Sequence, residues 1–210
     1  MVAMTIRPES TELEQTSVCD AAAPSESRLP GTARELFDAL PPLPGLRQEV
    51  IEGNLIVSPM GSPEHGWMAM DLFDALLPLR KERGWRAAVS TVSICIEGSR
   101  DSVTPDYVLS PPDCRRWGEY ELLSSHLFLV AEVVSSSSVQ RDHHEKREIY
   151  AQGGVPVYLL IDPIAEQPAA TVFSDIKDGS YSTTTRVVMG TPLYLPKPID
   201  FELDTSIFKA

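Results

Sequence analysis

Cysteine is nearly absent from this 210-residue chain: Cys19, Cys95 and Cys114 are the only three. They are odd in number, far apart and without CxxC spacing, which excludes a disulfide framework, a CxxC zinc site and a dithiol redox pair. Cys95 reads as a buried strand residue and the other two as incidental. Long apolar runs are also missing. No segment approaches the roughly 18 residues of a membrane helix, and the N-terminus has neither the basic start nor the apolar stretch of a secretory leader. The expectation is a soluble chain without membrane association, in the cytoplasm. Positive charge is the third shortage, with 18 Lys and Arg against 30 Asp and Glu and a net charge of -12. Proteins that bind polyanions usually offer a basic surface, so a nucleic-acid function here has to rest on local site chemistry.

What is present is enough for one core. Residues 1–30 are rich in Ser, Thr, Pro and Glu and lack periodicity, so a disordered arm is expected there, followed by a single α/β domain over 31–210. Thr32 is placed to cap a short helix, with Glu35 at the capping-box position and Pro41-Pro42 as the stop. Arg47 to Ser58 reads as a hairpin turning at Glu52-Gly53-Asn54. A long helix from Pro63 to about Arg83, carrying Trp67, Met70, Phe73 and Leu76, should kink at Pro78. Period-two alternation over Val92 to Ile96 predicts a strand, and further strands are expected at Val103 to Leu109 and Leu127 to Val134. The last is apolar enough to be central and covered on both faces. Asp142 to Gln152 reads as a helix closed by Gly153-Gly154. Strands are expected at Val155 to Ile161, Ala169 to Phe173, Tyr181 to Met189 and Phe201 to Leu203. This order implies a mixed sheet flanked by helices.

Three residues stand out chemically. Asp106 follows Pro105 inside an apolar strand, where a carboxylate is unfavourable unless paired, hydrogen-bonded or bound to a cation. Glu132 is the one charge in Leu127 to Val134, and it shares its face with Val130 and Val134, so it is poorly placed for water. Two such carboxylates can jointly hold Mg²⁺, which prefers hard oxygen ligands. Lys146 lies four residues from both Asp142 and Tyr150, which puts all three on one helix face. As a solvated alternative, the Asp142 and Lys146 spacing also suits an ordinary surface pair. Arg80, Lys81, Arg83 and Arg86, or Arg115 and Arg116, offer candidate basic patches.

Taken together, Glu49 to Gly53, Pro105-Asp106, Glu132-Val133-Val134-Ser135, then Asp142, Lys146, Tyr150 and Gly153-Gly154-Val155-Pro156-Val157-Tyr158 resemble the Uma-type family. That family is grouped with restriction endonucleases in the PD-(D/E)XK nuclease superfamily. The resemblance spans roughly Leu36 to Leu203 and implies a restriction endonuclease-like core. It also implies a Mg²⁺-dependent site, with Mn²⁺ able to substitute, in which Asp106 and Glu132 are the metal ligands. Lys146 takes the place of a displaced motif lysine, because Val134 occupies the usual strand position. Glu49 is then a further acidic catalytic residue, and His65, Asp142 and Tyr150 are accessory. Two departures concern loop shape: Ser135 to Ser138 lacks the family's usual proline, and Gln48 stands where an aromatic is common. The implied reaction is hydrolysis of DNA phosphodiesters by a cytoplasmic endonuclease, with a homodimer as the expected assembly. The competing readings are a catalytically idle module that binds a protein or nucleic acid, and an enzyme acting on RNA or another phosphate ester.

Overall fold

The computed structural model describes residues 29–209. The expected arm, except Leu29 and Pro30, and Cys19 lie outside that range. Helix α1 (Ala33–Ala39) begins where Thr32 Oγ1 accepts the Glu35 N–H at 3.1 Å, and it ends at Leu40, before the two prolines. Strands β1 (Leu46–Ile51) and β2 (Asn54–Pro59) form the expected hairpin. Its turn residues Glu52 and Gly53 both have left-handed backbones, φ 49° and 70°, as a two-residue hairpin turn requires. The Asp101 carboxylate accepts both of their N–H groups at 3.0 Å, which holds Glu52 in a conformation unfavourable for a side chain.

The long helix is divided into α2 (Pro63–Ala75) and α3 (Leu77–Arg83), because Pro78 in the first turn of α3 cannot continue the hydrogen-bond ladder of α2. The buried stripe is Ala69, Leu72, Leu76 and Leu79, whereas Trp67 and Met70 of the expected stripe face outward. Strands β3 (Arg86–Val89) and β4 (Ser93–Cys95) follow. The period-two strand is thus shorter than expected, and Cys95 is as buried as Ile94.

The strand expected over Val103 to Leu109 is two strands in different sheets, β5 (Ser102–Val103) and β6 (Tyr107–Ser110). Pro105 has no N–H for a ladder, and the Thr104 N–H is diverted to Glu49 Oε1 at 2.9 Å. Strands β7 (Arg116–Trp117), β8 (Glu121–Leu123) and β9 (Leu129–Val133) come next. A π-helical turn over Arg141–Glu145 leads into α4 (Lys146–Gln152). Then come β10 (Val157–Asp162), β11 (Ala169–Lys177), β12 (Ser180–Val188), β13 (Leu193–Leu195) and β14 (Phe201–Leu203), followed by a 3-10 turn over Thr205–Phe208.

Two six-stranded mixed sheets result, ordered β2-β1-β5-β4-β8-β7 and β12-β11-β10-β9-β6-β3, beside a β13-β14 hairpin. Strand β9 lies centrally in the second sheet, parallel to β10 and antiparallel to β6. Both its faces are buried. Leu129, Ala131 and Val133 pack with Leu72, Leu76, Tyr107 and Leu203 in one core. Val130 and Val134 pack with Ile51, Ile94, Val108 and Ile149 in a second core, between the sheets and α4. Glu132 therefore points into the second core, with Val130 and Val134, as its alternation requires.

Candidate active site

The register of the second sheet brings the two acidic residues together. Tyr107 pairs with Ala131 in the antiparallel β6-β9 ladder, so one residue further on Asp106 stands opposite Glu132. Directly opposed residues point to the same face with Cβ atoms about 4.5–5.5 Å apart. The Val133 N–H donates to Asp106 Oδ2 at 2.9 Å, which fixes Asp106 across the strand even though the ladder has ended. From the first sheet, Arg47 and Glu49, two apart on one face of β1, reach the same centre, while Ile51 on that face packs in the core. From the helical side, the π turn and α4 supply Asp142, Lys146 and Tyr150.

Lys146 Nζ lies 2.9 Å from Glu132 Oε1, 3.5 Å from Asp142 Oδ1 and 3.6 Å from Glu49 Oε1. Tyr150 donates its hydroxyl to the same Glu132 oxygen. Asp106 is held by Arg47 at 3.0 Å, and His65 Nε2 sits 2.7 Å from its Oδ2, out of line for a good hydrogen bond. His65 is placed by the first turn of α2, where Ser62 caps its N–H, and by Gly61, where any Cβ would meet His65 Cδ2 at 2.8 Å. All seven residues singled out from sequence therefore meet at one centre. Its small cleft, about 40 Å³, is also lined by Ser135, Ser137, Ser138 and Arg141.

Glu49, Asp106, Glu132, Asp142 and Lys146 are each 3% exposed or less, so their charges interact at reduced dielectric. Burial alone would raise Asp106, but His65, Arg47 and Lys146 outweigh it and hold that carboxyl well below the usual range. Glu132 goes the other way. Burial, with Asp106, Asp142 and Glu49 nearby, pushes it up to about 8 against the pull of Lys146. Lys146 loses from burial but gains more from Glu132, Glu49 and Asp142, so its ammonium is held charged.

Among the described residues, no three acidic, His or Cys side chains converge tightly enough to cage a metal ion by themselves. The donor chemistry nevertheless suits a hard cation, since Mg²⁺ is commonly held by one or two carboxylates, with waters and substrate oxygens completing the shell. Asp142 Oδ1 supports this fit: it is buried, and apart from the Lys146 ammonium 3.5 Å away it has no donor among the described residues. In addition, among the described residues these four carboxyls have only Arg47 and Lys146 as ion-paired permanent cations.

Sequence reasoning missed Arg47. Its period-two spacing from Glu49 was the available signal. The basic patch expected after the long helix is largely committed to the fold. Arg80 is buried, stacks 3.7 Å from the Phe73 ring centre and donates to Phe73 O, while Arg83 donates to Pro198 O and Ile199 O, both at 2.9 Å.

Residues 34–206 match the profile of the Uma2 family, described as a putative restriction endonuclease. Among solved structures, the chain is similar to a protein from Anabaena variabilis, described as a putative nuclease belonging to DUF820. The TM-score is 0.65 at 19% identity, over 85% of this chain and 97% of that one. That likeness concerns the fold, a restriction endonuclease-like core. No match is found among curated proteins.

Proposed function

Because the chain belongs to the Uma2 family, with a PD-(D/E)XK-like nuclease fold, we propose that it is a Mg²⁺-dependent endonuclease that hydrolyses DNA phosphodiester bonds. The observation that carries this reading is Asp106 opposite Glu132 on adjacent strands, with Lys146 Nζ 2.9 Å from Glu132. Asp106 and Glu132 would hold the ion, with Asp142 and Glu49 beside them. Bound there, Mg²⁺ or Mn²⁺ would polarise the phosphate and lower the pKa of a water.

The protein's own groups divide the remaining work. Lys146 stays protonated between its carboxylates, so its Nζ serves as a fixed positive donor toward a phosphate oxygen and not as a general base. Tyr150 and Lys146 fix the Glu132 carboxylate by donating to one oxygen and leave its orientation little freedom. Asp106 is fixed through both its oxygens, Oδ1 accepting from Arg47 and Oδ2 from the Val133 N–H. Glu49 is anchored by the Thr104 N–H and helps hold Lys146 in place. Arg141 lines the cleft and has no ion-pair partner among the described residues, so it is free to meet an incoming phosphate.

A second reading is a nuclease-like module that binds without cutting. It is favoured by the protein cations that already occupy both key carboxylates, Arg47 on Asp106 and Lys146 on Glu132. Calorimetric titration with Mg²⁺ and Mn²⁺, beside a cleavage panel of single- and double-stranded DNA and RNA, separates the two. Metal binding and cleavage that both disappear in Glu132→Gln support the enzyme. Nucleic-acid binding without metal uptake or cleavage supports the idle module.

A further inference from the structure

A second, much larger hollow of about 840 Å³ adjoins the cleft and is not used by the chemistry above. Its lining includes Arg47 and Ser90, whose guanidinium and hydroxyl lie 3.0 and 3.5 Å from Asp106 Oδ1. Asp106 itself lines the cleft and not the hollow, so these two side chains stand between the hollow and that carboxylate. One wall is apolar, from Phe37 of α1 to Leu40, Leu43 and Leu46. The lining also includes Trp117 at the end of β7, 40% exposed with the Arg100 guanidinium 4.9 Å from its ring centre, and Tyr120 in the turn to β8, 81% exposed.

Resting on the nuclease reading, we propose that this hollow seats an unpaired base of the strand being cut, stacked against Tyr120 and Trp117. Three features select a base over a phosphate. Arg34, the other arginine in the lining, is tied to Asp38 and Glu121, and Arg47 is tied to Asp106, so neither is free for a phosphate. Exposed aromatic faces stack on bases whatever their sequence, and the carboxylates of Asp38, Glu119 and Glu121 in the same lining disfavour a phosphate there. The Thr91 hydroxyl, and the Ser93 and Thr104 hydroxyls that bond each other at 2.9 Å and keep acceptor capacity, give the wall groups able to meet base edges. A paired base inside a duplex has both faces covered by its neighbours and cannot enter, so the substrate class is single-stranded or locally unpaired nucleic acid.

The test uses the full chain with Mg²⁺ and fluorescein-labelled phosphorothioate oligonucleotides: single-stranded, fully duplex, and single-stranded with one abasic position. Wild type is compared with Tyr120→Ala and Trp117→Ala. The expected result is preference for the single strand, a loss of about tenfold in its affinity in either variant, and a smaller loss for the strand whose abasic position falls in the hollow. Equal binding of duplex and single strand, unchanged in both variants while natural phosphodiesters are still cut, would overturn the base seat and leave the nuclease reading standing. Aromatic-dependent binding without cleavage of any substrate would do the reverse. Tighter binding after removal of residues 1–28, with no effect of the aromatic variants, would assign the hollow to that segment and overturn the proposal. So would a change of mass on light scattering in Tyr120→Ala, which would assign it to a second copy.

Discussion

Lys146 shows how far burial changes the meaning of a residue that sequence places on a helix face. With the side chain only 3% exposed and three carboxylates within 3.6 Å, its ammonium holds together groups that would otherwise repel. Removing one partner of a buried ionic cluster costs about 3–5 kcal/mol, so Lys146→Ala should lower the urea midpoint as well as the rate. On the folded fraction, single-turnover cleavage should fall at least about tenfold, the equivalent of about 1.4 kcal/mol in the barrier. Full activity in folded Lys146→Ala would reduce the residue to a structural one. Arg141→Ala makes a useful contrast. Half-buried and unpaired among the described residues, it should leave stability within about 0.5 kcal/mol and reduce the salt dependence of nucleic-acid binding by about one phosphate contact. An unchanged salt slope would place Arg141 off the substrate path.

The two key carboxyls also predict opposite pH effects in chelator-treated protein. Glu132 has its folded pKa raised to about 8. Its contribution to stability is therefore complete below its unfolded pKa of about 4.3 and is lost as pH rises through about 8. Melting temperature should fall across that window, and Glu132→Gln should flatten the decline. Asp106 has its folded pKa depressed by His65, Arg47 and Lys146 against the effect of burial. Its contribution is present above an unfolded pKa of about 3.9 and is lost only on acidification below it. Asp106→Asn should therefore shallow the acid limb and leave the alkaline one in place.

At the level of elements, α4 is held against the first sheet by a serine that touches neither Lys146 nor the carboxylates. Ser124 Oγ donates to Gly153 O at 2.7 Å and accepts the Glu97 N–H at 2.9 Å, all within the buried junction. A Cβ on Gly153 would meet that oxygen at 2.7 Å and Ile96 Cγ2 at 2.8 Å. Gly153→Ala should cost about 1–3 kcal/mol by overpacking, read from urea unfolding, and should lower activity by tilting the helix that carries Lys146. The helix, the hairpin turn and the buried β9 were legible because capping residues, Glu-Gly and an apolar run report directly on local backbone preference. Asp106 and Glu132 were legible because a charge in an apolar strand demands an explanation. The split at Thr104-Pro105-Asp106 was not legible. Pro105 announces an irregularity, but whether the chain resumes in the same sheet depends on partners remote in sequence. Arg47 escaped for a similar reason, since its role exists only once β1 is brought against β6. Trp67 and Met70 misled because their large apolar side chains suggest a buried stripe, while smaller Ala69 and Leu72 make the close helix-sheet contact.

For the whole molecule, the expected homodimer is tested by light scattering against a chain mass of 23.1 kDa. A duplex cutter that must reach both strands should run at twice that mass, with or without DNA. A protein that takes one unpaired strand needs no partner, and a single 23.1 kDa species would favour that mode of action.

The crossing of the chain from β5 to β6 has a consequence for how the protein breathes. Val103 belongs to the first sheet and Tyr107 to the second, with Asp106 between them and hydrogen-bonded to the Val133 N–H. Lifting the first sheet would withdraw Arg47 from Asp106 and Glu49 from Lys146, so loosening of that layer and dismantling of the site are one event. An ion or phosphate bound at Asp106 would then slow amide hydrogen exchange in β4 and β5, at Ile94 and Val103, although neither lines the cleft. Exchange there unaffected by saturating Mg²⁺ and oligonucleotide would mean that the two layers open independently.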